Sequence, residues 1–272
     1  MNDVIEFARK VRCDILKQIH TAKSGHPGGS LSSVEILSIL YNKVLNVPRE
    51  WTGSLDFYQR DRFILSKGHA SPLLYATLAN AGFFDKSLLS TFRKINSRLQ
   101  GHPCLATKLP GIEMTTGSLG QGLSVGVGMA LGLKLDKINS KVFVLMGDGE
   151  LQEGSVWEAF MQAGHRKLDN IVAIIDRNKL QIDGCTKDVT DIEPLKDKLL
   201  AFNFDVVEVD GHNLYELSDA FMFARNSKKP CAIIANTIKG KGVSFMENNS
   251  AWHGKVPSDD ELKLALEEIN AK

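Results

Sequence analysis

An apolar run from Val142 to Met146 ends in Gly147-Asp148-Gly149, and a second, from Ile171 to Ile175, ends in Asp176-Arg177-Asn178. Runs of this length read as buried strands, so a carboxylate and a carboxamide are expected at two strand ends. Both side chains offer oxygen ligands, and the glycines leave room for a ligand to approach the backbone. A hard divalent cation bridging to a diphosphate fits that set. Magnesium takes six oxygens and commonly binds through one or two protein groups plus phosphate. Asp148 supplies an anionic oxygen, Asn178 a neutral one and the Leu180 carbonyl a third, with Glu150 beside the same site. A helix starting after Gly149 would turn its first amides toward the anion. Gly-Asp-Gly alone is a turn, and only the strand ends on both sides raise it above that.

Histidine placement adds to the case. Of the seven histidines, His26, His69, His102 and His212 follow a glycine in loops or beyond a strand end, and His253 precedes one. Imidazoles in such loops can bond phosphate oxygens or move protons near neutral pH. His20 and His165 fall on predicted helices and read as structural or solvated. No His-x₃-His spacing occurs, so histidine is not expected to bind metal. The segment Gly117-Ser118-Leu119-Gly120-Gln121-Gly122 is not a dinucleotide fingerprint and follows no clear strand. Its glycines suit the approach of a flat ring to backbone amides. Neither a nucleophile elbow nor a P-loop is present.

The elements that must position these residues follow from periodicity. An amphipathic helix over 3–20 carries Ile5, Ala8, Ile15, Leu16 and Ile19 on one side. A Gly-Pro-rich loop leads to a helix capped by Ser32 or Ser33 and running to about Val44. Residues 45–62 read as irregular, 63–65 as a short strand and 71–81 as a helix. Residues 96–120 are loop-rich, and a small-residue helix spans Gln121 to about Leu135. Its glycines, each costing up to ~1 kcal/mol relative to alanine, imply close packing on the sheet or on a dimer partner.

From 141 onward strands (142–146, 171–176, 205–209, 231–237) alternate with helices (153–166, 195–201, 214–226), with a loop through 194. The expected fold class is α/β, a doubly wound, mainly parallel sheet with helices on both faces and ligands beyond the carboxyl ends of the strands. After a loop-like tail, Ser258 with Glu261 forms a capping box for a last helix bearing Leu262, Leu266 and Ile269.

The chain has 272 residues, enough for one large domain, and 33 basic against 32 acidic side chains. Nothing in that balance supports binding to nucleic acid or a membrane surface. The four scattered cysteines form no CxxC, as in a cytoplasmic protein with reduced thiols, and no secretory or membrane-spanning segment is visible.

Together, Lys23-Ser24-Gly25-His26-Pro27-Gly28, Asp61 to His69, Gly101-His102-Pro103, Thr115 to Gly122, Gly147-Asp148-Gly149, Asp176-Arg177-Asn178 and Ile182-Asp183-Gly184 resemble the transketolases among the thiamine-diphosphate enzymes. The resemblance runs nearly the whole length and implies a single thiamine-diphosphate-binding domain over 1–272, with a loop-rich region at 21–120 and a C-terminal helix at about 258–270. It implies Asp148, Asn178 and the Leu180 carbonyl as ligands of Mg²⁺, or of Ca²⁺ or Mn²⁺ in its place. It places His69, Gly149 and His253 at the cofactor, mostly its diphosphate, and Gly117, Ser118 and Leu119 in the loop at the aminopyrimidine. It makes His26 and His102 the catalytic histidines beside the reactive carbon, and turns Glu153 and Glu158 toward a subunit interface. The Asp210-Gly211-His212 segment matches the family without an assigned role. Ser118 departs from a usual proline.

Transketolases continue into a pyrimidine-binding domain and a C-terminal domain where this sequence stops. The expectation is therefore one half of a split transketolase, moving a two-carbon ketol unit from a ketose phosphate to an aldose phosphate in the pentose phosphate pathway. A separate pyrimidine-domain subunit would complete it, in a heterotetramer with two of each chain. The alternatives are a non-catalytic or regulatory paralogue that binds the cofactor, a half-enzyme for an unusual ketose, and the first part of a longer chain.

Overall fold

The computed structural model describes residues 1–48 and 55–271. In chain order the elements are α1 (Asn2–Ala22), α2 (Pro27–Leu31), α3 (Val34–Ile39, continued by a π-helical turn, Leu40–Val44), α4 (Leu55–Tyr58), β1 (Arg62–Leu65), α5 (Ser71–Asn80), α6 (Gly122–Leu135), β2 (Val142–Gly147), α7 (Gly154–His165), β3 (Ile171–Arg177), β4 (Leu180–Gln181), β5 (Gly184–Cys185), α8 (Thr186–Val189), α9 (Leu195–Ala201), β6 (Asp205–Asp210), α10 (Leu214–Asn226), β7 (Cys231–Asn236) and α11 (Asp259–Asn270).

The main sheet has the order β1-β2-β3-β7-β6, and every pairing in it is parallel. Its central strands are apolar almost throughout, as a sheet buried on both faces requires. Side-chain alternation divides the core in two. Phe143, Leu145, Val172, Ile174 and Ile233 face α1, α3, α5 and α10, whereas Val144, Met146, Ala173, Ile175 and Ile234 face α6, α7 and α9. The fold is thus the expected doubly wound α/β sheet. Register brings Gly147 opposite Asp176 and Asp176 opposite Ala235, so Asp148, Asn178 and the segment after β7 emerge at one edge.

Gly126 settles how α6 meets the sheet: a β-carbon there would lie 2.7 Å from Val144 Cγ2, while Gly128 and Gly132 face open space. One side of this helix packs on the strands and the other is uncovered. Among the described residues no helix is long and apolar enough to cross a membrane. All four cysteines are free.

Several local expectations are corrected. The Gly-Pro-rich loop contains α2, whose residues are all buried and which starts at Pro27, where a missing N–H costs nothing. Region 21–120 is therefore more helical than its composition implies. Ser33 holds the N-cap position of α3 without a cap bond, because the Ser33 hydroxyl accepts from Lys67 and the Ser32 hydroxyl donates to Asp176. Ile5 is 53% exposed; Val4, Phe7 and Val11 complete the buried stripe of α1 instead. The predicted loop through 194 includes the β4–β5 hairpin and α8, elements too short to leave a periodic signal. Part of the irregular stretch 45–62 lies outside the described residues, and its remainder includes α4. The α7 helix begins at Gly154, after a 3₁₀ turn over Gly149–Gln152, and the Gly149 N–H is taken by Asp148 Oδ1. The capping box at Ser258 and Glu261 is present.

Candidate active site

At the carboxyl edge of β2, β3 and β7 lies a cavity of about 360 Å³. His26, His69, Gly117, Leu119, Asp148, Gly149, Glu150, Asn178, Leu180 and His253 all line it, so ten of the residues singled out in the sequence converge. His102 stands one layer back, its ring against Gly117: a β-carbon there would lie 3.1 Å from the His102 Cγ, and φ is +143°. Both facts make glycine necessary at that position. Ser118 is exposed and outside the lining. His212 is elsewhere, His165 is exposed, and His20 bonds Asp259 at 2.7 Å.

Asp148 caps the turn that follows β2. Its Oδ1 accepts from Gly149 N–H and its Oδ2 from Lys179 N–H. Asn178 Oδ1 accepts from Leu180 N–H at 3.2 Å, and its Nδ2 donates to Asp176 at 3.1 Å. The Leu180 carbonyl accepts from Lys239 Nζ at 3.0 Å. Burial, reinforced by the charge of Asp176, pushes the Asp148 carboxyl up to about 6. A buried anion in that position calls for a cation, and the donors around it are all hard oxygens, which suits magnesium. Among the described residues no cluster of three or more His, Cys, Asp or Glu could hold a metal, so the set depends on one carboxylate and two neutral oxygens. Phosphate oxygens would supply the remainder. Gln181 Oε1 and His26 Nδ1 are buried without a partner beside the same space, consistent with a polar ligand there.

Three residues that anchor the site received no role from the sequence. Asp176 is fully buried and accepts from Ser32, Lys67, Asn178 and Thr237. Burial works against its charge, but the Lys67 ammonium and these hydrogen bonds hold the carboxyl down at about 2. Lys67 also donates to Gly29 O and Ser33 Oγ, both at 2.8 Å. Lys239 bonds Leu180 O and approaches His253 Nδ1 at 3.1 Å. Burial draws its ammonium down to about 8, against the pull of Asp176 and Asp148. The sequence signal for these residues was position: Asp176 ends the apolar run of β3, Lys67 comes two residues after β1, and Lys239 lies in a glycine-rich segment just after β7.

Glu150 lines the cavity, yet its carboxylate is occupied by protein. Ser66 Oγ and Gly120 N–H donate to Oε1 and Gly147 N–H to Oε2. It thereby ties the Gly117–Gly120 loop to the ends of β1 and β2. The His102 loop is set by Tyr75, which donates to the Gln100 and His102 carbonyls, and by Ser71, which donates to Gly101 O.

The rings of His26, His69 and His253 cluster with centroids 5.2–5.4 Å apart. Burial, with Arg93 and His102 adding to it, lowers His26 to about 4; burial and Lys239 lower His253 to about 4. His69 is held well below the usual range, first by burial and then by Lys67. These rings are neutral at pH 7 and serve as hydrogen-bonding groups there. Because the unfolded chain takes up protons below about 6.5 that the folded chain refuses, stability is full above that pH and lost as pH falls toward 4. Calorimetric scans should show the unfolding temperature dropping between pH 6.5 and 4.5, less steeply in His26→Gln and His253→Gln. Equal slopes in variants and parent would contradict the buried neutral cluster.

An open parallel α/β sheet with an oxygen-lined, histidine-walled cavity at its carboxyl edge places the chain among the doubly wound ligand-binding domains. Comparison with known proteins narrows the class: the family model for "Transketolase, thiamine diphosphate binding domain" matches residues 2–270, and the chain belongs to this family. The chain is 43% identical over 266 residues to a Phocaeicola vulgatus protein named as a subunit of apulose-4-phosphate transketolase, covering 97% of this chain and 93% of that protein. To the 6-deoxy-6-sulfo-D-fructose transketolase subunit SqwG of a Clostridium species it is 42% identical, covering 98% and 96%. The Homo sapiens transketolase matches 97% of this chain at 40% identity, but only 41% of its own length is covered. The crystal structure of Campylobacter jejuni transketolase superimposes with a TM-score of 0.92 at 36% identity, and the chain spans 43% of it.

Proposed function

We propose that this chain is the diphosphate- and metal-binding subunit of a two-chain, cytoplasmic transketolase, acting with a separate subunit that carries the pyrimidine-binding domain. The observation that carries this is the convergence of Asp148, Asn178 and the Leu180 carbonyl with His26, His69 and His253 around one cavity in a chain of this family. The near full-length match to proteins named as transketolase subunits supports the two-chain arrangement. Their names make phosphorylated or sulfonated ketoses the substrate class to test.

Residues 1–272 form one cofactor domain in this reading. Asp148, Asn178 and Leu180 O hold Mg²⁺, while His69, Gly149, Lys239 and His253 face the diphosphate. Gly117 and Leu119 present backbone to the aminopyrimidine. Bound thiamine diphosphate supplies the nucleophilic carbon at which a ketose C–C bond is broken and remade. The chain's own residues orient and protonate. His26 Nδ1, buried and unpartnered, takes a hydrogen bond from a donor-sugar hydroxyl, and His102, next to Gly117, handles a substrate proton.

The uncovered side of α6 with α7 exposes Val125, Leu135 and Met161, beside Gly128 and Gly132. Glu153 and Glu158 are exposed on the same layer. That face supports self-association within a heterotetramer of two copies of each chain.

Ketol transfer should be absent from the chain alone and appear on mixing with the pyrimidine-domain subunit, Mg²⁺ and thiamine diphosphate. A correctly assembled but inactive complex would count against the proposal. In the active complex His102→Ala should lower kcat by ~100-fold or more, within the usual range for an acid–base group, while cofactor affinity stays nearly unchanged. Parallel loss of affinity would instead give His102 a binding role.

A further inference from the structure

We infer that Glu35, acting through Arg12 and His212, is a positioning residue that grips the backbone on both sides of Lys239 and so fixes the cationic wall of the cavity. The inference rests on the diphosphate reading of that cavity and gives the Asp210-Gly211-His212 segment a task.

The geometry is a two-armed strap. The Glu35 carboxylate, on α3, is buried and divides its oxygens: Oε1 accepts from Arg12 Nη2 and Oε2 pairs with His212 Nδ1 at 3.0 Å. Burial works against its charge, but Arg12 and His212 hold the carboxyl at about 2. Ile238 N–H donates to His212 Nε2 at 2.8 Å. That nitrogen must therefore be unprotonated, which puts the ring proton on Nδ1, where it donates to Glu35. On the other arm Arg12 Nε donates to Lys241 O at 3.2 Å. The two gripped positions, 238 and 241, bracket Lys239, whose side chain crosses the cavity to Leu180 O and His253. Gly242 has φ +97°, and a β-carbon there would come within 2.8 Å of Arg12 Nε, so the segment lies directly against the guanidinium. The strap thus joins α1, α3 and the turn after β6 to the loop that follows β7, and Glu35, Arg12 and His212 themselves lie outside the cavity lining. Partners behind a binding site commonly set affinity by orienting the groups in front.

Glu35→Gln tests this without changing volume. If the amide oxygen stays on Arg12, its NH₂ group faces His212 Nδ1–H. The ring proton must then move to Nε2, where it opposes Ile238 N–H. Hydrogen exchange of the free chain, which needs no cofactor, should speed up across 237–242 in Glu35→Gln and His212→Ala. His212→Gln, which returns an acceptor to Ile238, should restore part of the protection.

In the reconstituted two-chain complex, the Kd of thiamine diphosphate with Mg²⁺ should rise ~10-fold in Glu35→Gln, the lower end of what outer partners contribute. In a Lys239→Met background the same change should add almost nothing. Unchanged exchange over 237–242, or effects on Kd that multiply independently of Lys239, would overturn the strap. Failure of the parent complex to bind thiamine diphosphate would overturn the diphosphate reading, with exchange still judging the strap by itself.

Discussion

Asp148→Asn should remove magnesium-dependent thiamine diphosphate binding while leaving the metal-free chain close to the parent in stability. In the proposed metal set Asp148 is the anionic member, and the other two members are the Asn178 amide and the Leu180 carbonyl, all lining the cavity. Losing it should cost more than the roughly 10–100-fold that outer partners of a metal site typically contribute. The stability half of the result follows from its surroundings. The carboxyl is 2% exposed, near Asp176, and is pushed up to about 6 by burial and then by that neighbouring charge. Its folded pKa exceeds the unfolded value, so its favourable contribution is complete only below the unfolded pKa and is gone once pH rises past about 6. At pH 7.5 the ionised group is a cost in the metal-free chain. The amide removes that charge but offers a single oxygen, so either Gly149 N–H or Lys179 N–H loses its acceptor, an offset on the order of 1–3 kcal/mol. Calorimetric titration of the two-chain complex and thermal scans of the free chain, with and without Mg²⁺, measure both halves. Parent-like affinity in the variant would remove Asp148 from the metal site.

Lys67→Met has the largest expected effect on folding. The Lys67–Asp176 pair is buried on both sides, with side chains 2% and 0% exposed. Removing one partner of such a pair typically costs about 3–5 kcal/mol, because the remaining charge is left uncompensated. Here the uncompensated charge would also bear on Asp148, already raised by it. For a chain of this size the unfolding temperature should fall on the order of 10 °C. Adding Asp176→Asn removes the orphaned charge and should recover much of the loss. It should not recover cofactor binding, since Asp176 orients Asn178 and ties Ser32 and Thr237 to the end of β3. Thermal scans of the single and double variants measure the coupling. Strictly additive losses would mean that the pair is not an interacting unit.

Legibility in the sequence tracked how local the physics was. Strand ends at Gly147 and Asp176 were readable because a buried parallel strand is a short apolar run, and a glycine or an acid stops it. The capped α11 was readable because Ser258 and Glu261 satisfy each other's backbone within one turn. The helix α2 was not, since Pro27-Gly28-Gly29 has loop composition and owes its conformation to complete burial. Ser32 and Ser33 invited a capping reading, but their hydroxyls serve Asp176 and Lys67 from distant parts of the chain. Glu150 was readable as a neighbour of Asp148 at the strand end, though not as the tie between two strand ends and the Gly117–Gly120 loop.

By itself, then, the sequence determined the sheet with helices on both faces, the edge at which the cavity opens, and which oxygen and imidazole groups gather there. These depend on apolar periodicity and on residue type, both local properties. Only the tertiary structure decided which charges are paired and which way each carboxylate is spent. Lys67 with Asp176, Lys239 with Leu180 O, and Glu35 between Arg12 and His212 join residues tens to hundreds of positions apart. No spacing rule encodes such pairs. They arise because a low-dielectric interior penalises every unmatched charge, and folding brings within reach the groups that can match it.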